Sequence, residues 1–243
     1  MRTITTMGII RIRFYIFSDR SILNIPNEYS PNRLYNHNRP HRPAMNTFYV
    51  NSSTQESTIA IFAGNTVLAE KRWLAEQNES EKLQPEVDRL LKKNKLSADD
   101  IERLIVCVGP GGFTSARVGV SAINAWAFAK NIPVSQVSVF DLYGKPEIII
   151  LISANQHEGW VKFREKDPKF LIKEAFVWPK NFKFTGIVNE VWKNFLEELG
   201  GKYISMSEQL PDVSKLKFTK QIVLPWYYKD ANITWSSRIH GNR

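Results

Sequence analysis

The chain has 243 residues, with 33 Lys and Arg against 24 Asp and Glu, for a formal net charge of +9. At 43% hydrophobic and 23% charged residues it can bury a core and is not disordered by composition. No apolar run approaches the roughly 20 residues of a transmembrane helix. A single cysteine excludes an internal disulfide framework and a cysteine-based zinc site, and points to a reducing, cytoplasmic compartment.

The charge is uneven. Residues 1–44 hold seven arginines, no lysine and two acids, Asp19 and Glu28, and so carry +5 of the +9. Three readings are open for this leader: an Arg-rich transit peptide, a basic nucleic-acid arm, or translated upstream sequence with the working start at Met45. The third is adopted, because the first convincing strand begins just after Met45. The high overall charge is then weak evidence for nucleic-acid binding.

Thr47–Thr54 reads as a strand running into a polar turn. Ser57–Phe62 and Thr66–Trp73 flank Gly64-Asn65 and read as a hairpin. Leu83, Val87, Leu90 and Leu91 fall on one face of a helix over about 80–94. Pro85 is tolerated best in a first turn, so this helix is expected to begin later than Ser80. Ser97-Ala-Asp-Asp100 is an N-cap with an acidic turn. Leu104–Val108 has the continuous apolar character of a buried strand, and Cys107 within it reads as a small buried hydrophobe.

Gly109-Pro-Gly-Gly-Phe-Thr-Ser-Ala-Arg-Val-Gly119 then links that strand to a helix running to about Lys130. Asn131-Ile-Pro133 stops the helix, and Val134–Val139 resumes as a strand. The second half reads as a strand at 147–153, a hairpin mate at 159–163, a strand at 170–177 and an amphipathic helix at 185–199. Ile187, Val191, Phe195 and Leu199 form that helix's stripe, and Gly200-Gly201 closes it. A domain junction is placed near Tyr143-Gly144-Lys145-Pro146. The divisions are therefore 1–44, a leader outside the fold; 45–143; and a smaller 144–243.

A strand, a glycine turn and a helix N-terminus make an anion site, because free amides and the helix dipole point the same way. Gly109, Gly111, Gly112 and Thr114 are the candidate phosphate loop. The P-loop Lys-Ser/Thr pair is missing, and the spacing does not match the dinucleotide fingerprint. The other reading is a tight turn that lets the helix pack hard on the sheet.

No acid–base pair or metal site emerges. His37, His41 and His240 lie in the leader and tail, and His157 in a turn. Trp160, Trp178, Trp192, Trp226, Tyr227 and Tyr228 suit a core or a protein interface; base stacking is the alternative. The helix after the glycines carries Val118, Ala122, Ala125 and Ala129 on one stripe. Its small residues allow a second helix to approach closely, or full burial within one large domain.

The strand, the loop Gly109–Gly119, the small-residue helix and Asn131-Ile-Pro-Val-Ser-Gln-Val-Ser-Val139 together resemble the TsaB family. Leu224-Pro-Trp-Tyr-Tyr-Lys-Asp230 is similar to that family's closing Pro-x-Tyr stretch. The resemblance implies an α/β, actin-like ATPase (ribonuclease-H-like) fold of two domains, the second reduced. It implies a non-catalytic subunit, without cofactor, in the cytoplasmic complex that installs threonylcarbamoyl on N6 of adenosine 37 of tRNA. The implied partners are a TsaD-like transferase, in a heterodimer, and a TsaE-like ATPase, with tRNA reached only through the complex and no membrane. It also implies a helical interface with TsaD, here Leu83, Val87, Leu90 and Leu91 of one helix and Val118, Ala122, Ala125 and Ala129 of the other. Three places depart from the pattern: Asn51 stands for an Asp, Ser153-Ala-Asn155 for Asp-Ala-Arg, and Ser115 for a Gly. All three weaken nucleotide binding and leave a scaffold role intact. The alternatives are a nucleotide-binding ATPase of the same fold and a free-standing RNA-binding module.

Overall fold

The computed structural model describes residues 44–226 apart from positions 77, 145, 146 and 165. The leader up to residue 43, part of the expected junction, Tyr227–Asp230 of the closing stretch and the tail beyond it lie outside the described residues.

Strands β1 (Asn46–Asn51), β2 (Glu56–Ala63), β3 (Thr66–Leu74), β4 (Arg103–Cys107) and β5 (Val134–Val137) form one sheet in the order β3-β2-β1-β4-β5. β1 pairs antiparallel with β2 and parallel with β4. The hairpin turn at Gly64 has φ +62°, a left-handed conformation that glycine adopts without penalty. β3 closes the sheet as an edge strand, and Glu70, Lys71 and Arg72 on it discourage edge-to-edge pairing.

Helix α1 (Glu79–Lys93) joins β3 to β4 and helix α2 (Phe113–Lys130) joins β4 to β5. α1 starts at Glu79, earlier than expected, with Pro85 inside it. Pro85 and Glu81 are both exposed. Water can therefore solvate the Glu81 carbonyl that proline leaves without an amide, which keeps the interruption cheap. α1 buries Leu83, Val87, Leu90 and Leu91 in one core with Phe48, Val50, Ile59, Ile61, Leu104, Val106, Val120 and Ile123.

A second sheet follows, with strands β6 (Ile149–Ser153), β7 (Glu158–Lys162), β8 (Lys169–Ile172), β9 (Lys183–Ile187) and β10 (Lys202–Tyr203) in the order β10-β9-β6-β7-β8. Among the described residues it carries a single α-helix, α3 (Glu190–Glu198). A second core joins Tyr49, Phe62, Ile105 and Cys107 of the first sheet to Ile150 and Ile152 of the second, with Phe140 and Leu142 between.

Three expectations are corrected here. The helix expected over 185–199 is β9 followed by α3. Ile187 ends a strand, and Val191 and Leu199 are substantially exposed at 41% and 46%. The face that packs is Trp192 and Leu196, both fully buried. Asn189 caps α3 through its side chain, which accepts from the Trp192 amide at 3.0 Å. The strand expected over 170–177 ends at Ile172 and becomes a short 3-10 helix over Lys173–Ala175. The strand expected to reach Val139 stops at Val137, and a 3-10 turn over Val139–Leu142 follows, started by Ser138, whose amide and hydroxyl both donate to the Asp141 carboxylate, at 2.8 and 2.7 Å.

Candidate partner interface and glycine loop

The glycine loop is shaped by the turn after β1. The Gly112 amide donates to the Ser53 carbonyl at 2.9 Å. A Cβ added at Gly111 would lie 1.8 Å from that same oxygen. Nearly two turns into α2, a Cβ at Gly119 would lie 2.5 Å from Ser52 Oγ. Ser52 Oγ accepts from the Gly119 amide at 3.0 Å and donates to the Ser115 carbonyl at 2.6 Å. Gly111 and Gly119 are thus explained by close approach of α2 and its loop to β1. Gly109 has φ +105°, and Thr114 is exposed in the first turn of α2.

Asn51, at the end of β1, is buried and fully engaged. Its Oδ1 accepts from the Ser53 amide at 3.0 Å and from Ser53 Oγ at 2.7 Å. Its Nδ2 donates to Thr54 Oγ1 at 3.1 Å and to the Glu208 carboxylate at 2.9 Å. Thr54 Oγ1 lies 3.2 Å from the same carboxylate oxygen. Burial pushes the Glu208 carboxyl above its ordinary range, against the pull of the Thr54 hydrogen bond and of Arg72. Glu208 was not among the residues singled out from sequence. It lies in an irregular polar stretch, 157 positions from Asn51, and no local pattern signals the pairing.

This arrangement suits a magnesium-nucleotide poorly. The only oxygen on the Asn51 side chain is already committed to Ser53. The nearest acid is held by neutral donors, where its charge opposes a phosphate. Among the described residues, no group of three His, Cys, Asp or Glu is placed to hold a metal ion. Cys107 is buried, with its thiol pushed up to about 12 by desolvation. His157 is exposed, and its Nδ1 faces Glu174 at 2.9 Å. Trp192 and the half-buried Trp160, Trp178 and Trp226 lie in aromatic clusters of the chain itself, with ring centroids such as Trp160–Trp226 at 5.2 Å.

The expected interface residues fall into two groups. Leu83, Val87, Leu90 and Leu91 are 4–7% exposed and serve the chain's own core. Val118 is half-buried, while Ala122, Ala125 and Ala129 are exposed on the outer side of α2. The two groups meet at a groove of about 340 Å³ between α1 and α2, walled by Leu83, Val87 and Leu91 on one side and Ala122, Ala125 and Trp126 on the other. Phe48 and Val50 line it as well. Trp126 packs on Phe48 with ring centroids 5.2 Å apart, and its buried Nε1 has no hydrogen-bond partner among the described residues.

Known proteins resemble this chain in two ways, first in fold. A Pseudomonas aeruginosa structure with similarity to peptidase YeaZ superposes with a TM-score of 0.60 at 16% identity, covering 76% of this chain and all of that one. YeaZ from Pseudomonas aeruginosa gives 0.58 at 16% identity, covering 75% and 99%. The fold is the α/β, actin-like ATPase (ribonuclease-H-like) fold, with its second half reduced to one α-helix among the described residues.

The second way is sequence. Residues 73–158 match the family model described as TsaD, tRNA N6-adenosine threonylcarbamoyltransferase. The tRNA threonylcarbamoyladenosine biosynthesis protein TsaB of Bacillus subtilis is 31% identical over 94 residues, which is 39% of this chain and 41% of that protein. TsaB of Haemophilus influenzae is 27% identical over 93 residues, 35% and 39% respectively. The chain thus spans about two-fifths of the length of the curated relatives it matches. Sequence and fold together support the TsaB family as the one this chain resembles.

Proposed function

We propose that the chain is a non-catalytic subunit of the complex that installs threonylcarbamoyl on N6 of adenosine 37 of tRNA. Its task is to bind and support a TsaD-like transferase in a heterodimer. The observation that carries this reading is the exposed small-residue face of α2 beside the α1–α2 groove. Ala122, Ala125 and Ala129 let a partner helix come within the roughly 8–10 Å of close helix packing. The groove would take an apolar side chain from that helix. The segment matched to the TsaD model, 73–158, contains both helices.

Asn51 and Glu208 supply the other half of the argument. A neutral side chain and a buried acid replace the metal-holding acid of an actin-like ATPase, so catalysis belongs to the partner. This weighs against the nucleotide-binding ATPase reading and against Gly109–Thr114 as a phosphate loop. The TsaE-like ATPase and tRNA are reached through the complex, in the cytoplasm, and the fold divides as 45–143 and 144–243. No helix among the described residues is long and apolar enough to cross a membrane.

The test is reconstitution. The chain is mixed with purified TsaD-like and TsaE-like proteins, ATP, a threonylcarbamoyl donor and tRNA. Modified adenosine should form only when the chain is present, and the chain alone should not hydrolyse ATP. Full modification without it, or ATP turnover by the lone chain that Thr114→Ala abolishes, would overturn the proposal.

A further inference from the structure

The segment after the last short 3-10 helix runs as a strap along α2. Thr219 pairs with Val134 through two backbone hydrogen bonds, of 2.7 and 2.9 Å. Lys220 Nζ reaches Asn131 Oδ1, at the end of α2, at 3.0 Å. Asn124, in the middle of α2, holds Val223 from both sides: Nδ2 donates to the Val223 carbonyl at 2.8 Å and Oδ1 accepts its amide at 3.0 Å. The Trp226 amide then bonds the Val108 carbonyl at 2.7 Å, beside the glycine loop. The strap is therefore fixed at four points, running antiparallel to α2. Val223 turns inward and is 6% exposed.

Its neighbours turn outward. Ile222 is 79% and Leu224 74% exposed, and Phe128, one helical turn beyond Asn124, is 91% exposed. Three large apolar side chains around one fixed polar bridge are not the scattered surface hydrophobes that need no explanation. They present on the order of 400 Å² of apolar surface, the size at which a patch marks an interaction site. On a helical wheel Phe128 falls next to Ala125, so the patch is continuous with the exposed alanine stripe.

We propose that the partner surface of this chain does not end at α2 but continues across it onto the strap, where Phe128, Ile222 and Leu224 form an apolar saddle for the same TsaD-like partner. The inference rests on the partner reading above and adds a second contact to it. Two observations choose this occupant. The first is continuity, since a helix laid on Ala122, Ala125 and Ala129 has the groove on one flank and the saddle on the other. The second is area. One exposed side of an 18-residue helix offers only about 300 Å², whereas a stable interface buries about 800 Å² per partner. The groove and the saddle together close most of that gap. The partner should present apolar side chains on both flanks of its docking helix.

The test titrates the purified TsaD-like transferase into four chains by calorimetry: wild type, Ala122→Glu, Phe128→Ala and the double variant Ile222→Asp/Leu224→Asp. All substituted positions are exposed, so circular dichroism should match wild type. The expected result is at least tenfold weaker binding for Phe128→Ala and for the double variant, and partner-dependent protection of 221–226 from hydrogen exchange. Unchanged affinity in both, with Ala122→Glu impaired and 221–226 unprotected, would overturn the saddle and leave the α2 interface standing. No binding by wild type would overturn the partner reading and the saddle with it. Self-association of the lone chain that the double variant abolishes would assign the saddle to a second copy and equally overturn the proposal. Should the double variant fail to fold, Phe128→Ala and the exchange protection of wild type decide the question.

Discussion

Replacing Gly111 by alanine is the sharpest probe of what the glycine loop is for. The added Cβ would lie 1.8 Å from the Ser53 carbonyl oxygen and 2.7 Å from its carbon, far inside contact distance. Both atoms are backbone, so no side chain can rotate away. The loop must retreat by more than 1 Å, and the first bond to break is the Gly112 amide to that carbonyl. Losing this bond beside a buried strand end costs about 1–2 kcal/mol, and shifting the packed loop costs about 1–3 kcal/mol more. A total near 3 kcal/mol should lower Tm by about 6–12 °C in a domain of this size. Gly112→Ala is the control. Gly112 has φ −58°, and a Cβ there meets nothing closer than Ser115 Oγ at 3.3 Å. It should cost under about 1 kcal/mol. Differential scanning calorimetry of the three proteins decides. Equal Tm for Gly111→Ala and wild type would refute the close-approach account and return the loop to ligand binding.

The first half of the chain was legible because its signals are local. The Gly64-Asn65 turn, the 3.6-residue spacing of Leu83, Val87 and Leu91, and the glycine run after Cys107 each fix one element without long-range help. The 185–199 region misled for an equally physical reason. Ile187, at the end of β9, happens to stand four residues before Val191, so a strand end extends the helical period. Two signals argue otherwise. Gly186 adopts φ +119° with its Cα against the Leu151 backbone, and Asn189 is a preferred N-cap residue just ahead of the true helix. The site was half legible. The alanine stripe of α2 could be read from spacing. The burial of the α1 leucines in the chain's own core could not, because one amphipathic pattern serves a sheet or a partner equally well. Glu208 and the docking of the strap at 219–226 along α2 were invisible, since each acts through contacts with residues 85 or more positions away, even though Leu224-Pro-Trp226 resembled a family stretch.

Three further predictions follow from the site. Ala122→Glu should fold normally, because the position is exposed. A carboxylate set into the apolar groove should still lower affinity for the TsaD-like partner more than a hundredfold, about 3 kcal/mol; unfolding would make the stripe internal core, and unchanged affinity would move the interface elsewhere. Cys107, buried with its thiol pushed up to about 12, should ignore a thiol reagent at pH 8 until denaturant is added, and rapid native labelling would contradict the burial. The last prediction concerns Glu208 and pH. Its carboxyl titrates above the ordinary 4.5 in the folded protein because burial disfavours its charge. Between 4.5 and the folded value, the native state therefore binds more protons than the unfolded chain, and this group's contribution to stability falls as pH rises. Glu208→Gln keeps an acceptor for Asn51 and Thr54 but removes the titration. The stability of wild type relative to Glu208→Gln should decline as pH is raised from 4.5 toward 7, read as the difference in Tm between the two proteins. A difference that stays flat, or that grows with pH, would mean that the carboxylate is stabilised where it sits. Asn51 and Glu208 would then form a genuine charge site beside the glycine loop, which would reopen the nucleotide reading.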